Sequence, residues 1–268
     1  MIALTREISP SIVSCELTHL DRTPIDLARA RAEHDAYEAA LRECGCEVRR
    51  LPADETMADS VFIEDTAIVL DELAIITRPG APSRRAETDA VREALREHRA
   101  LRELSAPAIL DGGDVLRIGR RLLAGVGPRS NDEGRRQLAA FAAPHGYSVE
   151  AVPFAGCLHL KTAVTLVADD TVLFNPEWVD ASALGVARAI PVDPAEPFAG
   201  NAVRLGEVVI HPAEFPRTRA SLERAGIRVR TVPAGELARA EGGVTCCSLL
   251  VGRPGSPLRT AMTAALEW

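Results

Sequence analysis

The sequence predicts an α/β fold made of five units of hairpin, helix and strand, which the two chain ends close into a ring. Three observations support this. Four segments each carry two short β-rich runs around a polar or glycine turn, the pattern of a hairpin. A helix-like segment and one further strand follow most of them, with a period of roughly 40 to 50 residues. The N-terminal stretch supplies only a helix and a strand. The hairpin it lacks can be made by pairing residues 2–7 with the run 245–251. A ring closed this way is expected to leave no exposed edge strand, and residues 1–268 are expected to form one domain with no linker.

The elements follow in order. Residues 2–7 read as a strand, Asp26 to Cys44 as an amphipathic helix, and Cys46 to Leu51 as the strand after it. The second unit pairs 65–70 with 73–77 around Asp71-Glu72. A helix rich in Ala, Arg, Glu and Leu is then expected from Glu87 to Leu104, and a strand over 107–110. The third pairs 114–118 with 121–124 around Gly119-Arg120. Its helix runs from Asn131, a suitable N-cap, to Phe141, and its last strand covers 149–152. The fourth pairs 162–167 with 172–174; its helix, after Pro176, is the least helical of the set, and its strand covers 189–192. The fifth pairs 201–205 with 208–210, followed by a helix over 216–225 that stops at Gly226, a C′ glycine, and a strand over 227–230.

Composition narrows the function classes. Hydrophobic residues make up 47% and charged residues 26% of the 268, the balance of an ordinary globular protein. A net charge of −7 argues against nucleic acid or an anionic membrane as the main partner. No apolar run is long enough to span a bilayer, and the N-terminus lacks a signal pattern, so the expected compartment is the cytoplasm. The six cysteines do not form a Cys-x-x-Cys pair, so reduced thiols and no structural metal are expected. Lys161 is the only lysine; arginine supplies every other basic side chain, which reads as codon bias.

In a closed ring, equivalent positions of every unit face the axis. Here they are Asp65, Asp114, the Lys161-Thr162 pair, Asn201 and the Thr245-Cys246 pair, a polar set that suits an active site better than a core. Cys246 follows two glycines and precedes an apolar run. Alone it would read as an inert buried thiol. As a nucleophile it needs a proton shuttle, and His159 is the best candidate. Asp111, in Asp-Gly-Gly-Asp, can orient that imidazole. Asp59, Glu64 and Asp65 are interleaved with Val61, Phe62 and Ile63, so they are expected to be buried and to need a cationic partner such as a guanidinium. Arg84 and Arg129 suit a substrate carboxylate.

These motifs resemble those of the dimethylarginine dimethylaminohydrolase family. They are Asp59-Ser-Val-Phe-Ile-Glu-Asp65, Arg78-Pro-Gly with Ser83-Arg-Arg, Leu110-Asp-Gly-Gly-Asp-Val-Leu116, Arg129-Ser-Asn-Asp-Glu-Gly134, Leu158-His-Leu-Lys-Thr162, Gly200-Asn201 and Gly243-Val-Thr-Cys-Cys-Ser248. They occur in order from about Leu17 to Leu250. The resemblance implies a five-bladed α/β propeller that hydrolyses asymmetric Nω,Nω-dimethyl-L-arginine, and the Nω-monomethyl form, to L-citrulline and a methylamine. Carried over, Cys246 is the nucleophile, His159 the general acid and base, and Asp111 its partner. Glu64 and Asp65 hold the guanidinium. Asp59, Arg84, Arg129 and the backbone at Leu17 and Ala240 hold the amino-acid end. Some relatives carry Glu at the position of Asp111, which is one methylene shorter. Cys247 is expected to point to the opposite face, by strand alternation. A small-molecule substrate, no cofactor and no metal are expected, with a homodimer as one expected assembly. Arginine deiminase, another enzyme of the same superfamily such as an amidinotransferase, and a non-catalytic binder of arginine analogues are the rival readings.

Overall fold

A computed structural model describes residues 1–252; the last stretch of the expected 1–268 domain lies outside the described residues. The first unit contains β1 (Ile2–Arg6), α1 (Leu27–Glu43) and β2 (Glu47–Leu51). The second contains β3 (Ala67–Val69), β4 (Leu73–Ile76), α2 (Thr88–Arg96) and β5 (Ala100–Glu103). The third contains β6 (Val115–Ile118), β7 (Arg121–Val126), α3 (Asp132–Ala142) and β8 (Ser148–Pro153). The fourth opens with a single helical turn, α4 (Leu160–Ala163), before β9 (Val164–Ala168), β10 (Thr171–Phe174) and β11 (Arg188–Pro191). The fifth contains β12 (Val203–Leu205), β13 (Val208–Pro212), α5 (Pro216–Arg224) and β14 (Arg228–Val232), followed by α6 (Gly235–Ala238) and β15 (Leu249–Val251).

The strands form five three-stranded sheets of one design. The first strand of each is antiparallel to the middle one, and the third is parallel to it. In the first unit the chain ends share this work: β15 lies antiparallel to β1 through Ile2↔Val251 and Leu4↔Leu249, and β2 lies parallel on the other side. The hydrophobic core is divided by junction. One cluster joins Leu4 and Leu249 to Ala67 and Ile76, and the next joins Ile68 and Leu73 to Val115 and Leu122. A third joins Leu123 and Val152 to Val164 and Val172, and a fourth Val167 and Leu173 to Val209 and Leu222. The last joins Leu205 and Ile210 to Ala3, Tyr37 and Leu41. Each sheet is thus glued to both neighbours, and the fifth junction closes the ring onto the first unit.

The helix boundaries follow from capping chemistry. The Asp26 carboxylate accepts the Arg29 N–H at the start of α1, and Cys44 caps its end before Gly45 turns at φ 86°. Asn131 caps α3 by accepting the Gly134 N–H at 2.8 Å and also accepts the Ile109 N–H at 3.0 Å. Gly226, at φ 86°, follows α5 as expected.

Four expectations are corrected. The helix expected over 87–104 ends at Arg96, and 100–103 is the strand β5, whereas 107–110 contributes only an isolated bridge from Leu110 to Arg78. Ala-Leu-Arg-Glu favours a helix, but β4 needs a parallel partner, and pairing overrides propensity. The fourth unit has only a 3₁₀ turn, Ala181–Leu184, in place of a helix. Thr245–Cys247 is a 3₁₀ turn rather than the start of a strand. The third strand of every sheet remains an edge: β2 and β5 are largely exposed. Their Glu47, Arg49, Arg50, Arg102 and Glu103 discourage edge-to-edge pairing.

Replacing Asn131 by Ala removes both acceptor contacts. It should cost about 1–2 kcal/mol, measured by urea unfolding, whereas Asn131→Asp keeps the acceptor and most of that stability.

Candidate active site

A single helical turn precedes the first strand of four units, and these turns aim polar side chains at the axis. The groups bond to one another in a closed belt. Thr245 Oγ1 donates to Glu64 Oε2 (2.7 Å), and the Gly113 N–H donates to Asp65 Oδ1 (2.9 Å). The Leu160 N–H donates to Asp114 Oδ1 (3.0 Å), and Asn201 Nδ2 donates to the Lys161 carbonyl (3.0 Å) and to Thr245 Oγ1 (2.9 Å). Lys161 Nζ crosses the axis to Glu64 Oε1 at 2.6 Å. Every unit therefore contributes one link, and the residues that the repeat aligned in sequence meet in space.

Cys246 sits on one side of this belt in a small cleft, 7% exposed. Its Sγ accepts the Gly243 N–H at 3.3 Å. The two glycines before it are required by close approach: a Cβ at Gly242 would lie 2.1 Å from the Phe62 ring, and one at Gly243 2.4 Å from Asn201 Oδ1. Burial, together with the nearby Glu64 and Asp65 carboxylates, pushes the thiol up to about 12. Cys247 does not line the cleft; its Sγ donates to the Gly243 carbonyl. The separation of the two thiols thus comes from the 3₁₀ turn and not from strand alternation.

His159 lines the same cleft, and its Nε2 lies 3.0 Å from Asp111 Oδ2 and 3.8 Å from Asp65 Oδ1. A Cβ at Gly113 would stand 2.7 Å from His159 Nδ1, so the Asp-Gly-Gly-Asp turn makes room for the ring. Burial alone would push the imidazole down. Asp65, the Asp111 hydrogen bond and Asp114 outweigh it and raise His159 to about 9. Asp111 is fully buried and is fixed by accepting the Gly80 N–H at 2.7 Å, so the shorter side chain still reaches the ring. Burial would raise Asp65, but His159 and then Arg84 hold it below the usual carboxylate range. Among the described residues, Asp65, Asp111 and His159 offer ligand atoms within 4.8 Å of one another. Asp65 is also bonded to Arg84 and Gly113, and Asp111 to Gly80, which suits orienting a charged imidazole as well as holding a cation.

Asp59, Arg84, Arg129 and Ala240 line the same cleft. Arg84 is 5% exposed, and its fork is engaged: Nη1 donates to Asp65 Oδ2 at 2.6 Å, Nε and Nη2 to Glu87, and Nη2 to the Phe62 carbonyl. Arg129 is half-buried and donates to Thr18 Oγ1 at 3.1 Å. Asp59 Oδ2 accepts the Glu16 N–H at 3.1 Å, and burial raises its carboxyl. Residues 16–20 thus form a lid, and Glu16 rather than Leu17 lines the cleft, while Leu17 packs on the core cluster of the first unit.

Glu64 faces away from the cleft. With Lys161 and Thr245 it lines a 520 Å³ cavity that opens along the axis on the other side of the belt. Burial raises its carboxyl despite the Lys161 ammonium. The sequence placed Lys161 at the axis but gave it no partner, and its being the sole lysine in an arginine-rich chain read as codon bias. Phe62, Leu158, Glu241 and Gly242 also line the cleft, though the sequence marked none of them as a site residue.

The His159 ring should titrate near 9, followed by NMR of its ring protons, and fall in Asp111→Asn. Because its folded value is raised, its contribution to stability is complete below about pH 6.5 and is lost as the pH climbs through about 9. Unfolding free energies of the wild type measured at pH 6, 8 and 10 should follow that decline, and Asp111→Asn should flatten it.

Comparison with known proteins agrees with this geometry. Residues 20–183 match the family described as N,N dimethylarginine dimethylhydrolase, eukaryotic. The chain is 40% identical over 248 residues to N(G),N(G)-dimethylarginine dimethylaminohydrolase of Streptomyces coelicolor, covering 92% of this chain and 95% of that one. It is 37% identical over 226 residues to the protein of the same name from Pseudomonas aeruginosa, covering 84% and 89%. A crystal structure of the Pseudomonas aeruginosa protein, a Cys-to-Ser variant complexed with citrulline, superposes with a TM-score of 0.87 at 35% identity, covering 92% of this chain and 97% of that one. A closed ring of five like sheets, a buried thiol beside a carboxylate-bound imidazole, and sequence likeness over nearly the whole chain place it in the dimethylarginine dimethylaminohydrolase family.

Proposed function

We propose that this chain hydrolyses asymmetric Nω,Nω-dimethyl-L-arginine, and the Nω-monomethyl form, to L-citrulline and dimethylamine or methylamine. The observation that carries the reading is the geometry of the cleft: Cys246, the Asp111-bound His159 and the carboxylates of Asp59 and Asp65 meet in one pocket, where burial favours the neutral thiol and the carboxylates favour the imidazolium. Such a site is unreactive until a cation enters. A guanidinium placed against Asp65, with Glu64 behind it, sets positive charge beside Cys246 and lowers the thiol, whose proton leaves to solvent. The thiolate then attacks the guanidinium carbon. His159, already protonated, gives its proton to the departing methylamine, and an S-alkylthiouronium remains on Cys246. The neutral imidazole next takes a proton from water; the hydroxide adds to the same carbon, and the C–S bond breaks to release citrulline. Asp111 keeps the ring oriented through both transfers. No metal or organic cofactor enters the scheme.

At the amino-acid end, Asp59 takes the α-amino group with the carbonyls near Leu17 and Ala240, and Arg129 takes the α-carboxylate. Arg84 contributes charge at that wall, since its donors are bound to Asp65 and Glu87. The ring acts as one domain in the cytoplasm, and a homodimer is its proposed assembly; light scattering on the purified protein tests the last point.

Citrulline release from dimethylarginine, monomethylarginine and arginine decides between the readings. Turnover of the methylated forms is expected. Turnover of arginine alone would make the chain a deiminase, and binding without turnover an arginine-analogue receptor.

Three variants test the roles. Cys246→Ser should abolish turnover, while Cys247→Ser keeps most of it; the reverse pattern would exchange the two thiols. Arg129→Ala should weaken dimethylarginine binding roughly ten- to a hundred-fold, the effect of one charge-assisted bond, and leave methylguanidine binding nearly unchanged.

A further inference from the structure

The cleft that holds Cys246 has a cavity volume of about 20 Å³ with the lid seated, room for one water and not for an amino acid. Residues 16–20 must therefore move for a ligand to enter. Four side chains hold the lid. Asp59 and Arg129, which bind Glu16 and Thr18, also line the cleft, so an amino-acid ligand competes with the lid for them. Ser83 donates to the Glu16 carboxylate at 2.7 Å.

The fourth is Glu241. Its carboxylate accepts the N–H groups of three consecutive lid residues: Thr18 at 3.0 Å, His19 at 2.5 Å and Leu20 at 2.7 Å. Successive amides turned inward form a concave donor set for an anion, and here the anion is a side chain of the protein itself. The backbone at Glu241 adds a second observation. It is the one non-glycine residue at positive φ, 58°, among the described residues. Glycine would suit that conformation better, so what the position supplies is the carboxylate. Glu241 adjoins Gly242 and Gly243, which lead directly into the turn that carries Cys246.

We propose that Glu241 is the positioning residue that seats the lid over the cleft, tying lid closure to the backbone that carries Cys246. The kinetic part of the test rests on the methylarginine reading; the exchange part does not.

Glu241→Gly suits the backbone and removes the clasp, and Glu241→Gln keeps one carbonyl acceptor without the charge. Hydrogen exchange of a peptide spanning residues 16–22 in the ligand-free protein should accelerate roughly tenfold or more in Glu241→Gly and less in Glu241→Gln, with an unchanged melting temperature. Because the seated lid excludes the ligand, KM for dimethylarginine should fall about tenfold in the glycine variant, with kcat changed far less, and should fall less in the glutamine variant. Unchanged exchange would overturn the proposal, whether KM stayed constant or rose; in the second case Glu241 would be touching the ligand and not the lid. If the wild type released no citrulline from dimethylarginine, the functional reading would fail, and the exchange measurement would still decide the clasp.

Discussion

The belt of buried hydrogen bonds around the axis is the constraint on which the rest of the structure depends. Each of its members is a polar group withdrawn from water, and each would be costly without a partner. They satisfy one another only if all five units stand at the right distance from the axis. Thr245, Glu64, Gly113, Leu160, Lys161 and Asn201 are contributed by five different units. The apolar clusters between sheets draw the units together without direction, and the belt fixes how far and in what orientation. The glycines at 112 and 113 follow from this. A Cβ at Gly112 would lie 2.0 Å from the Glu64 carbonyl, so neighbouring turns can approach closely enough only where the side chain is absent.

The same belt divides the axis chemically. On one side the Glu64–Lys161 pair looks into a wide cavity; on the other, Asp65, Asp111 and His159 surround the thiol. Lys161 balances Glu64, and Arg84 with the imidazolium balances Asp65 and Asp111. The cleft also carries Glu16, Asp59 and Glu241 against Arg129, with Glu87 and Asp114 close behind, so acidic side chains outnumber basic ones there and cations and anions are interleaved. Buried charges persist in such an arrangement because each is paired and oriented. An incoming guanidinium changes the balance, which is why the thiol's high resting value and its proposed reactivity are compatible.

Much of this was legible in the sequence, for definite reasons. The hairpins were readable because their turns use Asp, Glu and Gly between alternating β-formers, and the caps Asp26, Asn131 and Gly226 because capping depends on local chemistry. The polar equivalents of each unit were readable because the repeat aligns them. Residues 100–103 were not, since Ala, Leu, Arg and Glu favour a helix locally and only the neighbouring strand makes them extended. Lys161 and Glu64 stand far apart in the chain, so nothing local announces their pairing. The lid contacts were hidden more deeply. Glu241 binds backbone amides, which every residue carries, so no residue type marks the partner.

Ring closure has a consequence for how the molecule comes into being. The inner strand of the first sheet is β15, while its middle strand is β1, so that sheet stays incomplete through nearly all of synthesis. A nascent chain can fold four units in sequence as each leaves the ribosome, local contacts forming first. Neither the last belt link, Thr245, nor the thiol beside it exists until the fifth unit is made. β15, the last strand among the described residues, follows the turn that carries Cys246 directly, so pairing it with β1 closes the ring and fixes the position of the sulfur together.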